Sequence, residues 1–220
     1  MSSSVLARTG RQRQRYKDQF RLVAGCIPFR LERNVEDGCC NIKNKLRVLM
    51  ISSPDRDDLV FPKGGWEDDE TMGEAACREA LEEAGVKGIL GENPLGFWEF
   101  RSKSRQNSSS MEGGCRGYMF ALEVTEELDS WAEQANHDRK WLTTDDAFKF
   151  CRYDWMREAL QKFLVSLSEN RRNETGMVEL PVMPVPDAGA EHQILSPGFC
   201  GKPSGVQQLE ESGNKCVVQG

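Results

Sequence analysis

The chain has 220 residues, 38% of them apolar and 29% charged, and its 29 basic against 35 acidic side chains give a net charge of −6. That length provides one domain with tails or two small ones, and no stretch approaches the roughly 18 to 20 apolar residues of a membrane-spanning helix. The acidic balance argues against a general nucleic-acid binder, and the eight cysteines, with no C-x-x-C pair and no apolar signal core before them, are expected as reduced thiols of an intracellular protein rather than a zinc site.

The first 17 residues, MSSSVLARTGRQRQRYK, carry four arginines, one lysine and no acid. Such a start reads either as a mitochondrial transit segment or as a disordered basic arm leading into the domain. Short apolar runs then predict strands at FRLVAGCIPFRL (20–31), KLRVLMIS (45–52) and LVF (59–61), with ERNVEDGCCNIKN as a loop and SSPDRDD as a turn. Thr71 and Glu74 have the spacing of a capping box, and Gly85 stands where a left-handed cap belongs, so a helix is predicted over 72–84.

Two more strands are predicted in LGFWEFRS and GYMFALEVT, on either side of the polar loop SRQNSSSMEGGC. The last predicted element is a helix in DWMREALQKFLVSLSE, where Trp155, Leu160, Phe163, Leu164 and Leu167 recur on one face. Five of the nine prolines and seven of the twenty glycines fall in the final fifty residues, a composition that cannot build a packed core, so 171–220 is expected as a disordered tail. No internal repeat is present, which leaves one α+β domain over 18–170, a basic arm over 1–17 and the tail.

The informative stretch is GGWEDDETMGEAACREALEEAGV, from Gly64 to Val86. Glu79, Glu82 and Glu83 stand at i, i+3 and i+4, which puts three carboxylates on one helical face. Like charges at that spacing repel unless a cation lies between them, and hard oxygen ligands suit Mg²⁺ or Mn²⁺. An exposed acidic face would be the plainer reading if the three stood alone. Gly64, Glu70, Arg78 and Gly85 complete the pattern G-x5-E-x7-R-E-U-x-E-E-x-G-U, with Ala80 and Val86 in the apolar U places. Seven fixed positions arise by chance with a probability on the order of 10⁻⁸ per starting position.

This pattern resembles the signature of the Nudix hydrolases. NKLRVLMISSPDRDDLVFPKGGWEDDE, EEAGVKGILG, WEFRSKS and RKWLTTDDAFKFCRYDWMREAL look like the diphosphoinositol polyphosphate phosphohydrolase subgroup, and the FPKGGWE wording is similar to its plant branch. The resemblance covers about residues 15 to 168. It implies an α/β/α sandwich around a mixed β-sheet and hydrolysis of a pyrophosphate in a small polyphosphate substrate; charge and hydropathy, for their part, lead to the expectation of neither nucleic acid nor membrane as partner. Carried over, Glu79 and Glu83 bind the divalent ion, Mg²⁺ or Mn²⁺, and Glu82 accepts the proton of water. Elsewhere in the family a glutamate outside the signature is the base, and Glu112 is the alternative here.

Glu70 and Arg78 read as a structural pair that fixes the loop, and Gly64 and Gly65 as places where backbone comes close to metal or phosphate. A polyphosphate needs a basic cradle, for which the candidates are Arg21, Arg56, Lys63, Arg101, Lys103, Arg105 and Arg139, with Arg56 and Lys63 foremost because they bracket the strand entering the box. Each alone reads more readily as a solvated surface charge, because long cations are ordinarily exposed. Trp66, Trp98 and Phe100 are candidates for stacking an adenine, against a core role for the last two. Neither His137 nor His192 is expected near the box.

The substrate is expected to be a diadenosine polyphosphate, a diphosphoinositol polyphosphate, or both. A catalytically silent phospholigand-binding module and a pyrophosphatase for another nucleoside diphosphate derivative are the competing readings. Silent modules commonly lose the glutamate triad, which is intact here. The arginine-rich start and the plant-branch resemblance lead to a mitochondrial location as the expectation, with cytoplasm and nucleus as the alternative.

Overall fold

The structure is a computed structural model, and it describes residues 7–32, 45–101 and 114–174, with side chains as far as 170. Among these the elements run β1 (Tyr16–Lys17), β2 (Phe20–Leu31), β3 (Leu46–Ser53), β4 (Arg56–Val60), β5 (Lys63–Gly65), α1 (Met72–Ala84), β6 (Val86–Leu90), β7 (Gly96–Phe100), β8 (Cys115–Glu127), β9 (Arg139–Leu142), α2 (Thr144–Phe150) and α3 (Asp154–Glu174).

Strand β2 is the hub. Its residues 22–29 are all buried, which is how a strand reads when both faces of its sheet are covered. One edge of β2 runs parallel to β8 from Arg21↔Cys115 to Phe29↔Glu123. The other edge meets β5 at Val23–Gly25 and β3 at Phe29–Leu31, both antiparallel. Strands β7 and β6 add to the far edge of β8, and β4 and β9 to β3. One parallel pairing among antiparallel ones makes the sheet mixed.

The helices cover opposite faces. Phe29 packs on Phe163 of α3 with ring centroids 4.9 Å apart. Cys26, three residues earlier and so pointing the other way, is close enough to Cys77 of α1 that the neighbouring thiol adds to the rise in its pKa that burial causes. This is the expected α/β/α sandwich. Phe61, Met50, Ile51, Met119, Leu122 and Leu160 are among the largest fully buried side chains.

Some elements differ from the sequence expectation. The seven-residue turn shrinks to Pro54–Asp55, because Ser53 pairs with Arg56 and Asp55 takes a left-handed φ of 60° that aspartate tolerates. Strands β6 and β9 and helix α2 were not foreseen; all are short, and β6 alternates buried and exposed residues around a glycine. Helix α3 runs five residues beyond its expected end at Glu169. The arm expected over 1–17 is described from residue 7, and there it is bound to the domain, not free. Residues 1–6, the tail beyond 174, and with them Lys103, Arg105, Glu112 and His192, lie outside the described residues.

Candidate active site

Helix α1 begins and ends as its sequence dictates. The Thr71 hydroxyl accepts the Glu74 N–H at 3.2 Å, and Glu74 accepts the Thr71 N–H at 2.7 Å. Gly85 closes the helix at φ 63°, where an L side chain would be strained and a Cβ would strike Trp131. A helix so fixed at both ends presents its glutamates in register. Glu79 and Glu82 are buried, at 7% and 3% exposure, in a protein whose other carboxylates, Glu67 apart, are at least partly open to solvent among the described residues.

Arg78 organises them. Its Nε and Nη2 grip Glu70 at 2.9 and 2.8 Å as a two-pronged fork, and Nη2 also donates to the Gly65 carbonyl at 2.8 Å. Nη1 donates to Glu79 at 2.7 Å and to Glu82 at 3.1 Å. The expected Glu70–Arg78 pair is therefore present, and the same guanidinium reaches two of the three helix glutamates. Burial alone would lower its pKa, and Glu70 and Glu79 more than reverse that.

Glu83 accepts the backbone N–H of Lys63 at 2.8 Å. The Glu79 carboxylate lies against Gly64 so closely that a Cβ there would overlap it. Gly64 is thus required by the acid beside it. Burial pushes the Glu79 carboxyl well above an ordinary glutamate, and the neighbouring Glu83 adds to this. Glu83 is raised by burial as well, against the pull of Lys63. Glu82 is raised for the same reason, with Arg78 opposing it.

Buried carboxylates that repel one another, beside close-lying backbone with no side chain at Gly64, form a hard oxygen donor set that fits a divalent cation such as Mg²⁺ or Mn²⁺.

Glu83 and Gly64 line a cleft of about 380 Å³. Of the expected phosphate contacts, Arg21, Lys63 and Arg101 also line it. Two others are placed elsewhere. Arg56 is held by Asp58 through two hydrogen bonds of 2.8 and 2.6 Å. Arg139 donates to the carbonyls of Ala84, Gly85 and Leu128 at the end of α1 and lies over Trp131, so it braces the helix terminus.

Three lining residues escaped the sequence reading. Arg152 reaches the cleft because Leu59 bridges Cys151 and Arg152 donates its N–H to the Leu59 carbonyl; no local pattern announces this. His137, expected away from the box, lines the same cleft. Its Nδ1–H donates to the Ser52 carbonyl at 2.7 Å, its Nε2 lies 3.4 Å from Glu133, and the ligand atoms of Glu83, Glu133 and His137 fall within 4.8 Å of one another. Tyr153 is the third.

Of the aromatic candidates, Trp98 is buried and donates to Glu158, while Trp66 donates to the Glu70 carbonyl beneath Arg15. Phe100 lines the cleft and stacks on Trp155 with centroids 4.5 Å apart. Cys26, Cys77, Cys115 and Cys151 are free thiols.

A mixed sheet between helices thus carries this loop–helix–loop of acids. The NUDIX domain family matches residues 33–163, and the chain belongs to the Nudix hydrolases. It is 60% identical over 79% of its length to Nudix hydrolase 12, mitochondrial, of Arabidopsis thaliana, covering 87% of that protein. It is 54% identical over 90% of its length to Nudix hydrolase 13, mitochondrial, of the same plant, covering 98% of it. Diphosphoinositol polyphosphate phosphohydrolase 2 of Mus musculus is 33% identical over 86% of this chain and 90% of its own.

Proposed function

We propose that this Nudix hydrolase is a divalent-metal-dependent pyrophosphohydrolase of diadenosine polyphosphates, diphosphoinositol polyphosphates or both, acting in mitochondria. One observation carries the reading: Glu83 and Gly64 form one wall of a cleft whose remaining walls bring in Arg21, Lys63, Arg101 and Arg152. Four cations around one acidic corner suit a ligand with several phosphates, not one. Phe100 and Tyr153 in the same cleft offer surfaces for an adenine. The names of these relatives agree with the reaction class and, for the two plant proteins, with the location.

In this reading Glu79 and Glu83 hold the ion, which supplies neutralisation of phosphate charge and acidification of water. Glu82 takes the proton of the attacking water, its elevated carboxyl pKa bringing it nearer to neutral operating conditions. Glu70 and Arg78 hold the loop against the helix. Lys63, whose amide is fixed by Glu83, directs its ammonium at the phosphates.

The test is turnover of the purified protein on inositol pyrophosphates, diadenosine polyphosphates and nucleotide sugars with Mg²⁺ and with Mn²⁺. Hydrolysis of either of the first two classes is expected. Tight binding without turnover would make the chain a silent phospholigand module. A C-terminal fluorescent fusion confined to cytosol and nucleus would overturn the location.

A further inference from the structure

The basic arm before β2 is bound to the loop of the box. Arg15 donates its N–H to the Trp66 carbonyl at 2.9 Å, and Asp68 returns one to the Arg13 carbonyl at 2.8 Å. The Arg15 guanidinium donates to the carbonyls of Glu67 and Asp68, and Arg13 pairs with Asp68 and Asp69. Farther out, Arg8 reaches Glu67 at 2.8 Å and Asp69 at 2.9 Å. The Arg8 backbone N–H then donates to Glu82 Oε1 at 3.3 Å.

Glu82 is therefore held from two sides, by Arg8 on Oε1 and by Arg78 on Oε2. We propose that Arg8 is a positioning residue for Glu82: its guanidinium pins the arm to Glu67 and Asp69 so that its amide fixes the plane of the carboxylate. The proposal rests on Glu82 being the base of the proposed reaction.

A carboxylate has about four lone-pair sites, so one donor on each oxygen still leaves room for a water. Proton transfer needs the acceptor within about 2.6–3.2 Å of the proton's donor atom, and a freely turning carboxylate meets that geometry only part of the time. Arg8 is itself 39% exposed along its side chain, and ion pairs at such exposure contribute little to stability. Its removal is thus expected to act on orientation far more than on stability.

The experiment compares full-length Arg8→Ala and Arg8→Lys with a chain lacking residues 1–10, and with Arg11→Ala as a control for loss of one arm charge. Steady-state kinetics, melting and amide hydrogen exchange are read on each. The expectation for Arg8→Ala is a kcat lower by about tenfold, a fraction of a base's whole contribution, with KM within twofold because the cleft cations are untouched. Exchange at residues 66–70 quickens while that of α1 does not. Arg8→Lys falls between, the deletion loses at least as much kcat as Arg8→Ala, and Arg11→Ala matches the wild type.

An active wild type whose Arg8→Ala and deletion variants both keep kcat within twofold overturns the role. So does a loss of kcat that merely follows a drop in melting temperature with faster exchange through α1, since that is structure alone. A wild type that hydrolyses no pyrophosphate overturns the functional reading itself, an outcome distinguished by the reference protein's own inactivity.

Discussion

Glu83 Oε2 accepts the backbone N–H of Lys63 at 2.8 Å, which ties the last acid of the α1 triad to the first residue of β5. A glutamine keeps a carbonyl oxygen for that bond, so Glu83→Gln is expected to fold. It should lose at least about a hundredfold in turnover, the scale on which catalytic groups act, and also the protein's melting response to metal. Ligand linkage gives the wild type about 2.7 kcal/mol at a hundred times the dissociation constant. Scanning fluorimetry with Mg²⁺ and Mn²⁺ checks this. An active wild type unmoved by either ion, even beside a non-hydrolysable analogue, would contradict the assignment of Glu79 and Glu83.

The same carboxylates set a pH dependence. Burial raises both Glu79 and Glu83 above the ordinary glutamate value of 4.5. A raised folded-state value contributes stability that is fully present below the unfolded value and is lost as pH climbs through the folded one. Without metal, the midpoint of the wild type relative to Glu83→Gln should therefore fall from about pH 5 upward through neutrality, because only the wild type carries the charge there. With saturating metal the difference should reverse, since the ion requires ionised ligands. A metal-free difference that rises over this range would count against buried, mutually repelling acids.

Arg78 bonds to Glu70, Glu79, Glu82 and the Gly65 carbonyl at once. Removing the cation strands buried carboxylates, so Arg78→Ala should destabilise the metal-free protein by about 3–5 kcal/mol. Arg78→Lys retains the charge without the fork, and should recover part of the midpoint while leaving turnover more than about tenfold down. Calorimetry and kinetics on the two variants separate charge from geometry. Equal recovery of both by lysine would show that the fork is unimportant.

Asp58 pairs with both Arg56 and Arg152, which hold its carboxyl well below the usual range. Only Arg152 of the two lines the cleft. Arg152→Ala is expected to raise KM for a polyphosphate by about tenfold, or 1.4 kcal/mol, with kcat little changed, whereas Arg56→Ala should leave KM as it is. The reverse outcome would place the phosphates on the other side of Asp58.

Helix α1, its Thr71–Glu74 cap, the left-handed Gly85 and the Glu70–Arg78 pair all stand in the structure as the sequence implies. They were legible because helix ends and helix faces follow from spacings of three, four and eight residues. Strands β2, β3, β7 and β8 were legible as apolar runs; in β2 and β3 the run is near-continuous, since a strand buried on both faces needs no alternation. Strands β6 and β9 were not, because their partners decide their pairing more than their own residues do.

What the sequence by itself determined, then, is a capped helix with its acids on one face, the arginine that holds them, and the family that this order of residues defines. Tertiary structure alone decided which other residues gather around those acids. Arg152 arrives through a bridge between Leu59 and Cys151, His137 through the Ser52 carbonyl, and Arg8 by running back across the loop to a glutamate 74 residues away. Arg56 and Arg139, expected at the phosphates, are instead taken up by Asp58 and by the carbonyls at the end of α1. The reason is physical: a long cationic side chain carries no local preference strong enough to fix its end, so it goes to the carboxylate or carbonyl that the folded sheet puts within its reach.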